Sequence, residues 1–218
     1  MYRLTHTLLE SWRRATDPEA DETAFASFLD MLERKKEPKS AAMKTGIEFE
    51  DDVNYYIKNG LLKAQDGPVE QVAYPMGDTI VTERPFTDPH SRAIISFGNR
   101  LRGAQLQVRA ETPVEIDRIP FLLVGVADAL HAGIISDIKR PMRYEYGKYF
   151  DSTQHPMYME LFPEALWFDY LIFDGSYCYR EQYHRGDFQP IHDTIRAFAR
   201  YLNDADLMDT YKKFWEEK

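Results

Sequence analysis

The stretch Val124-Gly125-Val126-Ala127-Asp128-Ala129-Leu130 is followed, after His131-Ala132-Gly133, by Ile134-Ile135-Ser136-Asp137-Ile138-Lys139. Both runs are short and apolar and carry β-branched residues, so they read as two buried strands joined by a turn. The first holds one charge, Asp128. The second ends on Asp137 and Lys139, which are two apart and therefore share a strand face. A two-residue loop at Ala132-Gly133 sets Asp128 directly opposite Asp137; a loop at His131-Ala132 makes them diagonal neighbours on one face. A three-residue loop breaks this parity.

Outward from the hairpin, Gln105 to Ile116 alternates as a strand does, and Ala165–Phe173 and Tyr177–Tyr183 form a second hairpin around Asp174-Gly175. Helices are predicted over 7–15, 22–36 and about Thr45 to Lys58, the last closed by Asn59-Gly60. Another runs from Asp88-Pro89 to about Arg102. One starts after Asp151-Ser152 and admits Pro156 in its first turn, and two close the chain around Ile195–Leu202 and Leu207–Trp215. This order predicts an α/β fold with a mixed central β-sheet flanked by helices. One domain, 1–218, is expected: an N-terminal helical extension at 1–44, a core at 45–185 and C-terminal helices at 190–218.

Composition narrows the function. Hydrophobic residues make up 44% and charged residues 29% of the 218, enough for a core and against disorder. The single cysteine, Cys178, excludes an internal disulfide and a four-cysteine iron–sulfur cluster. The longest apolar run, Ile119 to Leu130, is broken by Asp128 and too short to span a bilayer, and no apolar leader is visible. A soluble cytoplasmic protein without membrane association is expected. No Walker-type phosphate loop is present, which argues against a motor. The formal net charge of −9 argues against coating nucleic acid, but it averages unlike regions. Residues 1–83 hold 10 basic and 16 acidic side chains (−6), residues 149–218 hold 7 and 13 (−6), and residues 84–148 hold 10 and 7 (+3).

Two carboxylates facing each other in an apolar setting repel and resist burial. A hard divalent cation removes both costs, and a lysine beside it can help activate water or offset phosphate charge. Acid-x-Lys by itself means little: Glu33-x-Lys35, Glu37-x-Lys39 and Glu216-x-Lys218 match it too, in charged helical or linker segments. The plain alternative for Asp128, Asp137 and Lys139 is an ion-pair network on a sheet edge. Gln154 and Tyr158 stand at i and i+4 on one helix face. Glu50 flanks the apolar face of its helix, while Glu48, Asp51 and Asp52 read as N-terminal dipole residues in solvent, a group to which Glu50 can equally belong.

Taken in order, Gly46-x3-Glu50, Gly125-x2-Asp128, Asp137-x-Lys139 and Gln154-x3-Tyr158 resemble the PD-(D/E)xK nuclease superfamily, and within it the RecB-like and phage exonuclease branch. The resemblance spans Gly46 to Tyr158. It implies a restriction-endonuclease-like core and one or two Mg2+ or Mn2+ ions held by Asp128, Asp137 and the Ile138 backbone carbonyl. Glu50 stands where this branch often has histidine, and would bind metal or position a water. Lys139 would assist the attacking water. Gln154 and Tyr158 would contact substrate or hold the acids in place; otherwise they are ordinary packing residues.

The function so implied is a metal-dependent DNA nuclease, an exonuclease of phage or prophage recombination or end-processing. Its setting would be a bacterial or phage-infected cell, and its partners DNA and a single-strand annealing or recombination protein. A site-specific endonuclease and a silent DNA-binding or interaction module are the alternatives. Arg140, Arg143 and Lys148 interleave with Tyr144, Tyr146, Tyr149 and Phe150, a pattern that suits phosphates and unstacked bases, or else a loop packed over the sheet. His155 reads as a surface histidine of a first helical turn, and Trp12, Trp167 and Trp215 read as core.

Overall fold

The computed structural model describes residues 1–36, 38–63 and 88–217. Glu37 and Lys218, members of two Acid-x-Lys pairs, lie outside them. The elements in chain order are β1 (Tyr2–Leu4), α1 (His6–Ala15), α2 (Glu22–Leu32), α3 (Ala41–Asn59), α4 (Pro89–Arg100), β2 (Gln105–Ile116), β3 (Ile119–His131), β4 (Ile134–Lys139), α5 (Gln154–Leu161), β5 (Trp167–Phe173), β6 (Cys178–His184), α6 (Ile191–Asp204) and α7 (Met208–Trp215). They build a mixed α/β domain with a six-stranded sheet, as expected.

Turn chemistry sets the register. Asp117 and Arg118, both left-handed at φ 49° and 67°, reverse the chain between β2 and β3, and Ala132 and Gly133 do the same at 49° and 78° between β3 and β4. The second is the two-residue loop, and His131 therefore pairs with Ile134 and Ala129 with Ser136. β3 is the hub. From Ile119 to Leu130, Asp128 apart, it pairs antiparallel with β2, and its other edge is shared. β1 runs parallel to residues Phe121–Leu123 of that edge, and β4 takes Ala129–His131. β5 follows parallel to β4, and β6 closes the sheet antiparallel.

Helices cover both faces. The main core gathers Leu4, Leu8, Phe28, Phe121, Phe198 and Tyr211, among others, on one side. Phe49, Val53, Ile94, Phe97, Leu171 and Phe173 pack on the other, where α3 and α4 lie. The chain ends meet beside the main core: Tyr2 bridges Glu216, and the Glu217 N–H donates to the Met1 carbonyl.

Several boundaries differ from expectation. Residues 1–44, read as a helical extension, contribute β1 and the buried Leu4, Leu8, Leu9, Phe28 and Leu32 to the main core. Three residues of strand give too short a pattern to see in sequence. Ser40, ahead of the predicted start at about Thr45, is the N-cap of α3, its hydroxyl accepting from the Met43 N–H. The helix thus starts one turn early, and Glu50 sits in its middle rather than near its positive end. Asp52 is likewise no dipole residue: it lies between Lys63 (2.9 Å) and His90 (3.3 Å). α2 stops at Leu32, ahead of the left-handed Arg34. Trp215 is buried as expected, whereas Trp167 is 37% exposed against His184.

Phe121 is fully buried in the hub strand. Phe121→Ala is expected to cost about 3–5 kcal/mol, read as a lower denaturation midpoint at unchanged slope.

Candidate active site

After Ala129↔Ser136 the β3–β4 ladder ends and the strands part, forming a fork. Asp128 bridges it, its Oδ2 accepting the Ile138 N–H at 2.8 Å. On the other prong Tyr158 stands in for a missing strand, its hydroxyl accepting from the Val126 N–H (3.2 Å) and donating to the Val126 carbonyl (2.8 Å). Gly125 makes this approach possible: a Cβ there would meet Leu161 Cδ1 at 2.7 Å and Tyr158 Cζ at 3.1 Å. Gly46 carries no such constraint, with nothing within 4 Å of its absent Cβ.

β3 also slips where it meets the site. Residues two apart in a strand should share a face, yet Leu106 packs with the α3–α4 core and Val108 with the main core. Ala129 and Ala127, their partners, divide the same way. Between them Gln107 is left-handed (φ 53°), and the Gln107–Asp128 pair is missing from an otherwise regular register. Such a backbone is uncommon for a residue with a side chain and costs on the order of 1–3 kcal/mol. The slip turns Asp128 onto the face that Asp137 and Lys139 occupy.

Asp137 is 7% exposed and held from two sides. Gln154 Nε2 donates to its Oδ1 in a short hydrogen bond, and Lys139 Nζ lies 2.7 Å from Oδ2. That lysine contact is an ion pair without hydrogen-bond alignment, so Oδ2 is a buried oxygen with no aligned donor among the described residues. Glu50 Oε1 accepts from Gln107 Nε2 at 2.6 Å. The three acids feel one another. Burial first, then the charges of Asp137 and Glu50, push the Asp128 carboxyl well above its usual range. Burial, then Asp137, pushes Glu50 up as well. Still, among the described residues no three His, Cys, Asp or Glu side chains are drawn into a ready-made metal cage, because each acid is engaged by a protein donor.

The helix carrying Gln154 and Tyr158 depends on the N-terminus. α5 has no side-chain cap of its own; instead Glu10 of α1 accepts from the Thr153 N–H, and the Thr153 hydroxyl donates to the His6 carbonyl at 3.2 Å. His6 stands edge-on to Tyr158 at 5.7 Å. Burial, then the Lys139 charge, presses its pKa down to about 3, so the ring is neutral. Sequence reasoning missed Glu10, His6 and Gln107, since contacts over such separations leave no local pattern.

Other expected residues fall elsewhere. Arg140 lies on the Phe173 ring at 4.7 Å, on the α3–α4 face, and Arg143 stands 88% exposed beside Glu145. The structure therefore does not bring either to the acids. His155, read as a surface residue, is buried: it stacks on Tyr183 at 4.5 Å, and burial lowers its pKa to about 4. The helix dips into the main core at that turn, where sequence showed only a polar start.

A raised carboxyl pKa means that the folded chain holds its proton more tightly than the unfolded chain does. In a chelator, stability should fall as pH rises from the ordinary carboxylate range through the raised value. Asp128→Asn keeps the acceptor for Ile138 and removes the charge. It is expected to flatten that decline and raise the thermal midpoint at neutral pH by a few degrees. Glu10→Ala should cost about 1 kcal/mol through the lost cap, measured by denaturant unfolding.

No protein-family model matches the sequence, and no curated protein matches it either. In fold the chain is similar to a protein solved as the crystal structure of SSO0001, with a TM-score of 0.50 at 11% identity, covering 93% of this chain and 76% of that one. The likeness supports the α/β architecture and nothing finer.

Proposed function

We propose that this chain is a metal-dependent DNA nuclease, an exonuclease of recombination or end-processing type, working in the cytoplasm of a bacterial or phage-infected cell. One observation carries the reading: the buried Asp137 and the partly buried Asp128, from diverging strands, meet beside a lysine, and Asp137 Oδ2 lacks an aligned donor among the described residues. That oxygen, together with the burial and the mutual repulsion that raise Asp128 and Glu50, fits a divalent cation. Asp128, Asp137, the Ile138 carbonyl and Glu50 would hold it. Bound Mg2+ or Mn2+ supplies charge neutralisation and Lewis acidity toward phosphate.

The chain's own residues do the rest. Gln154 fixes the Asp137 carboxylate and Tyr158 fixes β3, so the two acids keep their spacing. Lys139 Nζ, 2.7 Å from Asp137 Oδ2, carries three N–H donors, which serve to orient the attacking water or a phosphate oxygen. Water adds to phosphorus, one P–O bond breaks, and the departing oxygen takes up a proton. DNA is the substrate, and an annealing or recombination protein fits as partner in that setting. Among the described residues no helix is long and apolar enough to cross a membrane.

Linear DNA should be degraded with Mg2+ or Mn2+ and spared in chelator, while closed circular DNA survives. Discrete fragments would instead mean a site-specific endonuclease, and no cleavage with either ion would leave a silent binding module. Asp137→Ala and Lys139→Ala should each lower the cleavage rate at least about a hundredfold with the fold retained by circular dichroism. Activity of Asp137→Ala at the parent rate would sink the assigned site.

A further inference from the structure

The chain between β4 and α5, residues 140–152, forms a strap of turns beside the acids. It is firmly tied down on its inner side. Glu181, 3% exposed, accepts from the Tyr144 hydroxyl at 2.5 Å and the Gly147 N–H at 2.9 Å, and from Tyr183 through its second oxygen. Tyr149 stacks on Tyr170 with centroids 4.6 Å apart. With the strap fixed this way, its other large side chains face outward: Met142 is 85%, Tyr146 89% and Phe150 62% exposed. Exposing three bulky apolar groups on one short anchored segment gives folding nothing.

The rings also form a file. Lys139 Nζ lies 5.8 Å from the Tyr170 centroid. From Tyr170 the centroids step to Tyr149 (4.6 Å), Tyr144 (6.5 Å), Tyr179 (4.6 Å) and Tyr177 (6.5 Å). Tyr170 is fully buried and Tyr149 and Tyr144 are half-buried against the main core, so the file anchors the strap from below, and its outer end, Tyr177, is 68% exposed. Along residues 142–150 stand Arg143 and Lys148 against Glu145 alone, a local charge of 2 − 1 = +1 on a chain of net −9.

Rings and cations in alternation match one polymer well: an unpaired strand, whose bases offer flat faces and whose phosphates offer charge. A duplex hides its base faces in the stack, so exposed rings gain little from it. We infer that residues 142–150 with Tyr177 and Tyr179 form a stacking track that delivers single-stranded DNA to the acids. This rests on the nuclease reading and specifies its substrate as an unpaired strand.

Binding can be measured without cleavage, in chelator, by fluorescence anisotropy of a labelled oligothymidylate and of a blunt duplex of equal length. The full chain should prefer the single strand. Tyr146→Ala with Phe150→Ala, both at exposed positions, should weaken single-strand binding about tenfold or more and leave duplex binding and the melting midpoint unchanged. Unchanged single-strand affinity in that variant overturns the track, and so does a parent chain that prefers duplex. Restored affinity in Tyr146→Trp with Phe150→Trp would support stacking over mere surface polarity. A chain that binds single strands through these rings but cuts nothing with Mg2+ or Mn2+ keeps the track and loses the nuclease reading. A chain that cuts while the ring variants bind as the parent does keeps the nuclease reading and loses the track. An oligothymidylate-indifferent patch that captures a protein instead would also overturn it.

Discussion

The fork between β3 and β4 is the constraint on which the rest depends. A buried strand edge must have its N–H and C=O groups satisfied. Where β1 ends and β4 has not yet begun, the edge of β3 lacks a strand partner, and Tyr158 supplies one with a single hydroxyl. Where β4 peels away, the Ile138 N–H is satisfied by the Asp128 carboxylate. Both repairs are polar and partly buried. Both draw chemistry-bearing groups into the gap, because the same opening that breaks the ladder makes room for side chains. The site is therefore a consequence of how the sheet splits.

The support reaches back to the first residues. Gln154 and Tyr158 are useful only while α5 points its first turn at β4, and that turn is capped by Glu10 and by the His6 carbonyl. Those residues hold position because β1 and α1 are built into the main core through Leu4, Leu8 and Leu9. Damage to the N-terminal packing should thus reach the acids through α5, which explains why a segment that looks like an appendage in sequence is part of the working core.

Much of the fold was legible because its signals are local. Apolar β-branched runs marked β3 and β4, Ala132-Gly133 was one of the turns that reading allowed and is the one the structure has, and Asp88-Pro89 and Asn59-Gly60 marked helix ends within a residue. Parity then brought Asp128, Asp137 and Lys139 together, and helical spacing put Gln154 and Tyr158 on one face. What stayed hidden depends on distance or on short length. β1 is three residues long, the Glu10 cap spans 143 residues, and His155 is buried by aromatic neighbours from β5, β6 and Phe188. The loop after Lys139 read as two alternatives, packed or exposed, and holds both: Tyr144 and Tyr149 inside, Tyr146 and Phe150 outside.

The slip at Gln107 was invisible for a further reason: regular alternation argues against it. Parity counted back from the β3–β4 turn sets Asp128 with Asp137, but parity counted along β3 from Ala127 would set it on the opposite face, among Phe49, Phe97 and Ile138, where a carboxylate would meet only apolar packing. One left-handed residue on β2 shifts the phase, and Asp128 then shares a face with Leu130 and with Asp137 across the fork. The regular pairs on either side, Leu106↔Ala129 and Val108↔Ala127, hold the distortion to a single step. Gln107 then uses its own side chain to engage Glu50, which approaches from α3 on the other layer. A strained backbone persists only where its surroundings overdetermine it. Here it joins three acids from β3, β4 and α3 into one electrostatic unit, which neither a perfect sheet nor a single helix can do.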